Sequence, residues 1–235
     1  MRNTIVRRSV MTGSAVSLAL LVVACSSDKP ADKKDEPKAA GSASAPVAAT
    51  PAKGKTDAEL AKLIVTQADV RDRMLTEVTP AEVAAAATVT SDKPECKVLA
   101  QAQTLGAIGT ATGAARTKVS TPESAGVAGL GLTALTLTSY DGKGAEEALA
   151  SVKAAGTACA GGYAVPQAEE KITKVAPGPA VTGADDAVTL TLSSDDLDTR
   201  LVVVRKGNTL ATSYTVGLKP ELALDVLDIQ LTKLG

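Results

Sequence analysis

The residues that could carry chemistry in this sequence are few in kind. The chain of 235 residues contains no His, no Trp and no Phe, and it has three Cys and three Tyr. Without His there is no Ser-His-Asp triad, no Cys-His dyad and no His-ligated metal. Without Trp or Phe, aromatic platforms for sugars or single-stranded bases are scarce. We therefore expect a non-catalytic protein that uses no cofactor and no metal.

Cys25 is the residue whose surroundings point most directly to a chemical modification. A basic segment at the start of the chain precedes an apolar run over residues 15–24, which is shorter than the roughly 20 residues of a bilayer span. This order is typical of a secretory signal peptide, here residues 1–24. The run ends in the sequence LVVA before Cys25, which resembles the bacterial lipobox. The resemblance implies that Cys25 receives a diacylglycerol, carries acyl groups such as palmitate and becomes the mature N-terminus.

Two points about this segment stay open. A short membrane anchor and a buried cysteine are the alternatives to lipidation at Cys25. The pair Arg7-Arg8 loosely resembles a twin-arginine export signal, and an ordinary basic region explains it as well. On the lipidation hypothesis, the protein is anchored to the cell membrane through its N-terminal lipid, on the extracytoplasmic face.

Cys96 and Cys159 remain once Cys25 is lipidated, and two cysteines in an exported domain most often pair. The bond would join the first turn of one predicted helix to the end of another. Buried free thiols and a redox pair are the alternatives, although a redox pair usually has C-x-x-C spacing, which is absent. We predict a structural disulfide between Cys96 and Cys159.

Acidic and glycine-rich clusters offer weaker candidates for binding. Residues 185–186 and 195–198 carry adjacent Asp side chains that could ligate a cation, but the second cluster lacks the following Gly and the distant Glu of a calcium loop. Asp is also favoured in turns, and we prefer that interpretation. The glycines at 129–131 and 161–162 do not follow the pattern of a phosphate-binding loop and are predicted to form turns.

The three tyrosines are candidate anchors for a ligand, because each has an apolar body and a polar tip. Tyr140 and Tyr163 flank the long predicted helix, at opposite ends, and we name them as candidate ligand contacts. Arg116 or Arg205 could then donate to an anionic group of the ligand. The alternative is that all three tyrosines pack in the core or at an edge, and this is what the strand register predicts for Tyr214.

Several elements are needed to hold these residues. Residues 25–56 begin with the lipidated Cys25 and consist mostly of Ala, Pro, Ser, Gly, Lys and Asp. This composition predicts a disordered linker after Cys25. As a flexible coil the linker would span roughly 30 Å. Capping patterns at Thr56 and Thr79 each predict a helix start. An amphipathic helix is predicted over about 145–158, with the apolar face formed by Ala145, Ala148, Leu149, Val152, Ala155 and Cys159.

Strand patterns dominate the rest of residues 57–235, which we expect to form a single domain. Alternating and continuous aliphatic runs predict strands at 114–120, 130–139, 188–192, 201–204 and 209–216. A last helix is predicted to begin at Pro220. Runs of strands with separate helices indicate an α+β fold, with an antiparallel sheet of about five to six strands and helices packed on it.

The order of four motifs resembles a known group of proteins. These are TSDKPEC at 90–96, AGTACAG at 155–161, GADDA at 183–187 and VRKGNTL at 204–210. This order of motifs is similar to the order in small actinobacterial-type surface lipoproteins, whose domain resembles the extracellular sensor domain of the mycobacterial Ser/Thr kinase PknH. The resemblance implies an antiparallel sheet with packed helices and a cleft for an unidentified ligand, and it supplies no catalytic residues.

These observations favour a membrane-anchored, extracytoplasmic lipoprotein that acts as a non-catalytic binding or sensor-like module. Its ligand, a small molecule or a protein, is not identified by the sequence. The alternative is a carrier of a lipid or lipophilic small molecule in the cell envelope, and a hydrophobic cavity of several hundred Å³ would favour it. A His-free enzyme and a purely structural envelope protein are further alternatives. Charge is balanced, at 25 basic and 26 acidic residues, and no basic stripe indicates a nucleic acid partner.

Overall fold

A computed structural model describes residues 52–122, 131–195, 197–217 and 220–235, with the backbone alone for 220–223. The predicted signal peptide, Cys25 and the predicted linker up to residue 51 lie outside the described residues. The described residues belong to one compact unit, Ala48–Gly235.

Five helices and nine strands make up the described part of the chain. The helices are α1 (Asp57–Leu63), α2 (Pro80–Ala87), α3 (Lys97–Gln103), α4 (Gly144–Ala158) and α5 (Pro220–Leu234). The strands are β1 (Met74–Glu77), β2 (Gly113–Ser120), β3 (Leu132–Ser139), β4 (Tyr163–Val165), β5 (Glu170–Ile172), β6 (Lys174–Pro177), β7 (Asp186–Ser193), β8 (Asp198–Lys206) and β9 (Thr209–Val216). Both predicted capping boxes are present, Thr56 with Glu59 and Thr79 with Glu82, so each helix start satisfies backbone groups that would otherwise lack partners.

The main sheet confirms the predicted α+β class. Seven strands pair in the order β1-β2-β3-β9-β8-β7-β6, and every neighbouring pair is antiparallel. The number exceeds the predicted five to six because β1 and β6, both four residues long, were not predicted. They are the two edge strands, where half the residues face solvent and the hydrophobic alternation is weak. Strands β4 and β5 form a separate small sheet.

One face of the sheet, called here the α4 face, is covered by α2, α3, α4 and the small sheet. The predicted apolar side of α4 is buried as expected and packs on Leu190, Leu201 and Val203. Cys96, in the turn before α3, forms a disulfide with Cys159 at the end of α4. The predicted pairing is therefore present, and it fastens α3 to α4.

The opposite face, called here the α5 face, is covered by α1 and α5. Leu60, Leu227 and Leu231 pack against Val202 and Val204 of β8. Gln230 of α5 is fully buried, and both ends of its side-chain amide bind backbone at the end of α1 and just after it: its Oε1 accepts from Val65 N at 3.0 Å, and its Nε2 donates to Leu63 O at 2.9 Å. Both polar ends of this amide therefore have a partner away from water.

Residues 53–55, which precede the predicted boundary at residue 57, form hydrogen bonds with the rest of the domain. Gly54 N donates to Asp141 Oδ1 at 2.7 Å, and Lys55 N donates to Ser139 Oγ at 2.9 Å. Asn208 Nδ2 donates to Lys53 O at 2.8 Å. Residues 53–55 are thus held by the turns that follow β3 and β8.

The edge strand β1 is covered along part of its length by a side chain. Gln67 Nε2 donates to Arg73 O at 2.7 Å, and Gln67 Oε1 accepts from Leu75 N at 3.0 Å. The amide thus binds one C=O and one N–H of the edge, as the backbone of a neighbouring strand would.

Candidate functional site

A cavity of about 390 Å³ lies on the α4 face, between α2, the end of α3 and the strands β3 and β9. Its volume falls within the roughly 300–1,000 Å³ range of small-molecule sites. Most of the lining is apolar or small. The lining residues are Glu82, Ala85, Ala86, Thr88, Val89, Gln103, Thr104, Leu105, Lys118, Leu132, Ala134, Gln167, Ala168, Tyr214 and Val216.

Small side chains explain why this space is not filled. Ala134 of β3 lies opposite Tyr214 of β9 in the strand register, and α2, with the sequence PAEVAAAA, contributes Ala85 and Ala86 to the wall. An alanine on a helix facing a sheet leaves the volume that a leucine or phenylalanine would occupy. In a chain without Phe or Trp, no large aromatic side chain closes the gap. The cavity therefore follows directly from the composition of α2 and of the sheet beneath it.

The buried floor of the cavity carries a chain of polar groups. Tyr163 Oη donates to Gln103 Oε1 at 2.5 Å, and Gln103 Nε2 donates to Tyr214 Oη at 3.5 Å. Tyr214 Oη in turn donates to Glu170 Oε1 at 3.4 Å. Gln103 is the most enclosed of the polar lining residues, at 5 % exposure. The network thus brings the side chains of Gln103 and Tyr214 to a mainly apolar lining.

The tyrosines of this network remain protonated over the physiological range. Burial raises the pKa of Tyr214 to about 12, and the nearby Glu170 and the Gln103 contact act on it as well. Burial, together with Glu170 and Tyr214, also raises the pKa of Tyr163. Burial raises the pKa of the Glu170 carboxyl, and its hydrogen bond from Tyr214 works in the other direction. The hydroxyls are therefore hydrogen-bond donors and not nucleophiles.

An ion pair joins the helical wall of the cavity to the sheet. Lys118 Nζ of β2 lies 2.6 Å from Glu82 Oε1 of α2. The hydrogen bond from Lys118, with those from Thr79, lowers the pKa of Glu82 to about 2. Both residues line the cavity, so their charges cancel at its wall. Ala86 is the one residue of α2 that is buried, and this partly exposed ion pair adds about 1 kcal/mol or less to the attachment of α2.

Tyr140 and Tyr163, the predicted ligand contacts, do not line this cavity. Both side chains are buried, and Tyr140 Oη donates to Ile108 O at 2.6 Å. Each tyrosine borders a smaller cavity of its own, about 280 Å³ beside Tyr140 and about 290 Å³ beside Tyr163. They lie toward opposite ends of α4, as the sequence indicated. Their role as ligand contacts stays a prediction.

Tyr214 meets the expectation from its strand register in part. It packs against the core cluster of the α4 face, but it is only partly buried and also forms part of the cavity wall. Alternation along β9 correctly gives the face on which Tyr214 lies. It does not say whether a helix fills the space above that face, and here the alanines of α2 leave it open.

Neither predicted arginine meets the two named tyrosines. Arg116 Nε donates to Leu105 O at 2.6 Å, so it is engaged by the chain after α3. Arg205 lies 3.7 Å from Asp185 and donates to Gly207 O at 3.3 Å. Their side chains hold loops of the domain in place, and neither contributes to the wall of the 390 Å³ cavity.

The remaining candidates from the sequence also differ from a ligand site. Asp185 and Asp186 pair with Arg205 and Lys153, which favours the turn interpretation of that cluster. Within the described ranges, no group of three or more acidic or Cys side chains is placed to hold a metal ion. None of the helices in the described part of the chain combines the length and the hydrophobicity that a bilayer span requires.

Gln103, Lys118 and Glu82 were not identified from the sequence. A signal for Gln103 was present, because it follows Leu99 and Ala100 by four and three residues and therefore shares the buried side of α3. A polar residue on the apolar side of a helix needs a partner or a ligand. No signal of this kind marks Lys118, whose partner lies 36 residues away in the sequence.

Comparison with known proteins gives little further guidance. No protein-family model matches the sequence, and no curated protein matches it. Among solved structures, the chain is similar to the crystal structure of the extracellular domain of PknH from Mycobacterium tuberculosis, with 13 % sequence identity and a TM-score of 0.45. The match covers 77 % of this chain and 97 % of that chain. This is the domain that the order of sequence motifs resembles.

Proposed function

We propose that this protein is a non-catalytic binding module of the cell envelope that holds a small lipophilic ligand in the cavity between α2 and the sheet. The observation that carries the proposal is a cavity of about 390 Å³ with a mainly apolar lining and one buried polar side chain, Gln103, at its floor. Sites for small organic molecules have this composition, in which apolar walls supply affinity and a few polar groups fix orientation.

The volume sets the size of the ligand. An apolar cavity of about 150 Å³ accommodates benzene, so by proportion this cavity takes about 15 non-hydrogen atoms. That is the size of a bicyclic molecule or of a single short acyl chain. A whole two-chain glycerolipid would not be enclosed.

The chemistry of the wall supports binding without turnover. Lys118 is paired with Glu82, and Tyr214 has a pKa of about 12, so neither offers a free base or nucleophile near neutral pH. The side chains of the floor are engaged mainly with one another. A group held in this way orients a ligand, whereas catalysis requires a group poised to exchange protons or electrons with it.

The proposal is tested by blocking the cavity from an exposed position. Ala85 lines the cavity and its neighbour Ala84 does not, and both are exposed on α2. We expect Ala85→Trp to weaken binding of the neutral apolar probe isopropenylnaphthalene at least tenfold, and Ala84→Trp to leave it unchanged, by titration calorimetry. Native mass spectrometry of the wild-type protein should show a co-purifying small molecule that Ala85→Trp lacks. Equal binding by the two variants would place the probe elsewhere and reject the cavity as the site.

The second part of the proposal is that Cys25 anchors the module to the extracytoplasmic face of the membrane. It is supported by the basic segment, the short apolar run and the small residue before Cys25. Cys25→Ser should leave the precursor unprocessed and without incorporated acyl label, while Ser27→Ala should be processed as the wild type. Acyl label retained in Cys25→Ser would contradict lipidation at this residue.

A carrier of lipophilic molecules is the second candidate, and the apolar lining of the cavity is the observation in its favour. A carrier must release its cargo to a membrane, whereas a binding module need only retain it. Transfer of a fluorescent single-chain lipid between donor and acceptor vesicles distinguishes them. Acceleration of transfer by the wild-type protein but not by Ala85→Trp would favour the carrier.

A further inference from the structure

The floor of the cavity carries a hydrogen-bond donor that is only weakly engaged within the protein. Gln103 is 5 % exposed, and its Oε1 is occupied by the Tyr163 hydroxyl at 2.5 Å. Its Nε2 carries two hydrogens, and the one partner it has among the described residues is Tyr214 Oη at 3.5 Å. That distance is at the weak limit for an N–H···O hydrogen bond. At least one N–H of a buried amide is therefore available to a ligand.

The direction of the hydrogen bonds settles which kind of group the floor offers. Tyr163 donates to Gln103, Gln103 donates to Tyr214, and Tyr214 donates to Glu170. All of these hydrogens point along the chain toward the Glu170 carboxyl. The amide oxygen of Gln103 already accepts from Tyr163 at short distance, whereas its nitrogen has only the long contact with Tyr214, so its larger remaining capacity is that of a donor. A ligand atom that binds the amide nitrogen must be an acceptor.

The charges around the cavity select against an anionic acceptor. Lys118 and Glu82 are the charged residues of the lining, and they neutralise each other at 2.6 Å. The carboxyl of Glu170 lies at the end of the hydrogen-bond chain, where burial raises its pKa and it supplies no positive charge. An anion entering this site would lose its hydration without gaining a counter-charge, which is strongly unfavourable.

Resting on the proposed function, we propose that the ligand is a neutral lipophile with a ketone, ester or amide carbonyl, which accepts a hydrogen bond from Gln103 Nε2 at the floor of the cavity. The apolar remainder of the ligand lies against Ala85, Ala86, Val89 and Ala134. The walls thus supply affinity for apolar groups in general, and Gln103 supplies the discrimination between them.

Three probes of the same shape test this proposal on the wild-type protein: acetylnaphthalene, its isostere isopropenylnaphthalene, and naphthoate. The first two differ by C=O against C=CH₂, and the third is an anion. We expect acetylnaphthalene to bind about fivefold more tightly than isopropenylnaphthalene, the effect of one neutral hydrogen bond. We expect naphthoate to bind at least tenfold more weakly than acetylnaphthalene.

Two variants assign the preference to Gln103. Replacing Gln103 alone would leave the buried Tyr163 hydroxyl without its acceptor, so the informative variant is Tyr163→Phe combined with Gln103→Met, and Tyr163→Phe is its matched control. The control should keep the roughly fivefold preference for the ketone, whereas the double variant should bind the two neutral probes equally. Circular dichroism and thermal melting establish that both variants fold.

The outcomes separate this proposal from the function on which it rests. If none of the probes binds, or if Ala85→Trp leaves binding intact, the cavity is not the ligand site and both proposals fail. If both neutral probes bind equally to the wild type, or naphthoate binds most tightly, the cavity stands and the carbonyl proposal is overturned. The same holds if the double variant keeps the preference of its control.

Discussion

Two buried glutamines, one on each face of the sheet, are used in opposite ways. On the α5 face, Gln230 is fully enclosed and both ends of its amide bind backbone, at Val65 and Leu63, with lengths of 3.0 and 2.9 Å. On the α4 face, Gln103 is nearly as enclosed, but its Nε2 has a single partner at 3.5 Å and lies beside a cavity. Each Nε2 has one partner among the described residues, so the two amides differ in the length of that contact. We call the first amide saturated because both of its ends have a partner at ordinary length, and the second unsaturated because its Nε2 contact is long.

The difference shows how a fold distinguishes a structural polar residue from one available for binding. A saturated amide stabilises because its removal leaves backbone groups buried without partners. An unsaturated amide contributes less to stability, and its remaining capacity is offered to whatever enters. Burial alone does not separate the two cases. The length of the hydrogen bonds and the presence of a cavity beside the amide do, and the following predictions test this contrast.

The largest effect is expected from the disulfide that holds α3, and with it Gln103, on α4. Cys96 and Cys159 are separated by 63 residues. Closing a loop of this length restricts the unfolded chain, so Cys96→Ala/Cys159→Ala should lower the free energy of unfolding by about 4 kcal/mol. Urea denaturation of the variant and of the reduced wild type should agree. A loss below about 1 kcal/mol would show that α3 is held by packing and not by the bond.

The second effect concerns the saturated amide. Gln230→Leu leaves Val65 N and Leu63 O without their side-chain partner and should lower the free energy of unfolding by about 2 kcal/mol. Thr232→Val, on the same helix, is the control and should change it by less than about 0.5 kcal/mol, because Thr232 is exposed. Binding of the naphthalene probes by Gln230→Leu should match the wild type at temperatures where both are folded.

The third effect is the counterpart on the α4 face. Gln103→Leu should lower the free energy of unfolding by about 1 kcal/mol, because it leaves one buried group, the Tyr163 hydroxyl, without its short hydrogen bond. This is less than for Gln230→Leu, which removes two hydrogen bonds of ordinary length. Unlike Gln230→Leu, it should also abolish the preference for a carbonyl ligand. If Gln103→Leu proved the more destabilising of the two, the contrast between saturated and unsaturated amides would be wrong.

The smallest effect concerns the wall above Gln103. Because the pKa of Glu82 is lowered to about 2, its ionised form favours the folded state above the ordinary glutamate range, and this contribution is lost as the pH falls toward about 2. Glu82 is 41 % exposed, so its pair with Lys118 should change ligand affinity by no more than about twofold. As the pH falls toward about 2, the ligand affinity of the wild type should decrease, whereas the ligand affinity of Glu82→Gln should not depend on pH. A parallel fall in both would assign the effect to another group.

The sequence allowed the regular and heavily buried parts of the molecule to be predicted. The apolar side of α4 recurs at helical spacing over four turns, and Leu190 and Leu192 of β7 alternate with threonines as a half-buried strand does. The disulfide followed from counting cysteines, since two remained after Cys25. These features depend on local periodicity or on composition, which a single sequence contains.

The site was not predictable to the same degree, for physical reasons. The cavity arises because no large side chains fill the space between α2 and the sheet. The distance between two such elements cannot be read from a local sequence pattern. Tyr214 was assigned to the core because its register is right for that, while Ala134 opposite and Ala85 above leave room beside it. The role of Gln103 depends on the hydrogen bond that it accepts from Tyr163, which lies 60 residues away in the sequence. Such contacts exist only after folding.

The amide of Gln67 has a consequence for how copies of the chain meet one another. An edge strand with free N–H and C=O groups is a template on which another chain can add a strand, the first step toward an aggregate. Gln67 occupies the C=O of Arg73 and the N–H of Leu75 in β1, so a second chain would have to displace it before pairing. One side chain thus disfavours strand addition at that part of the edge, an effect that matters most where copies of the chain are crowded together on a surface.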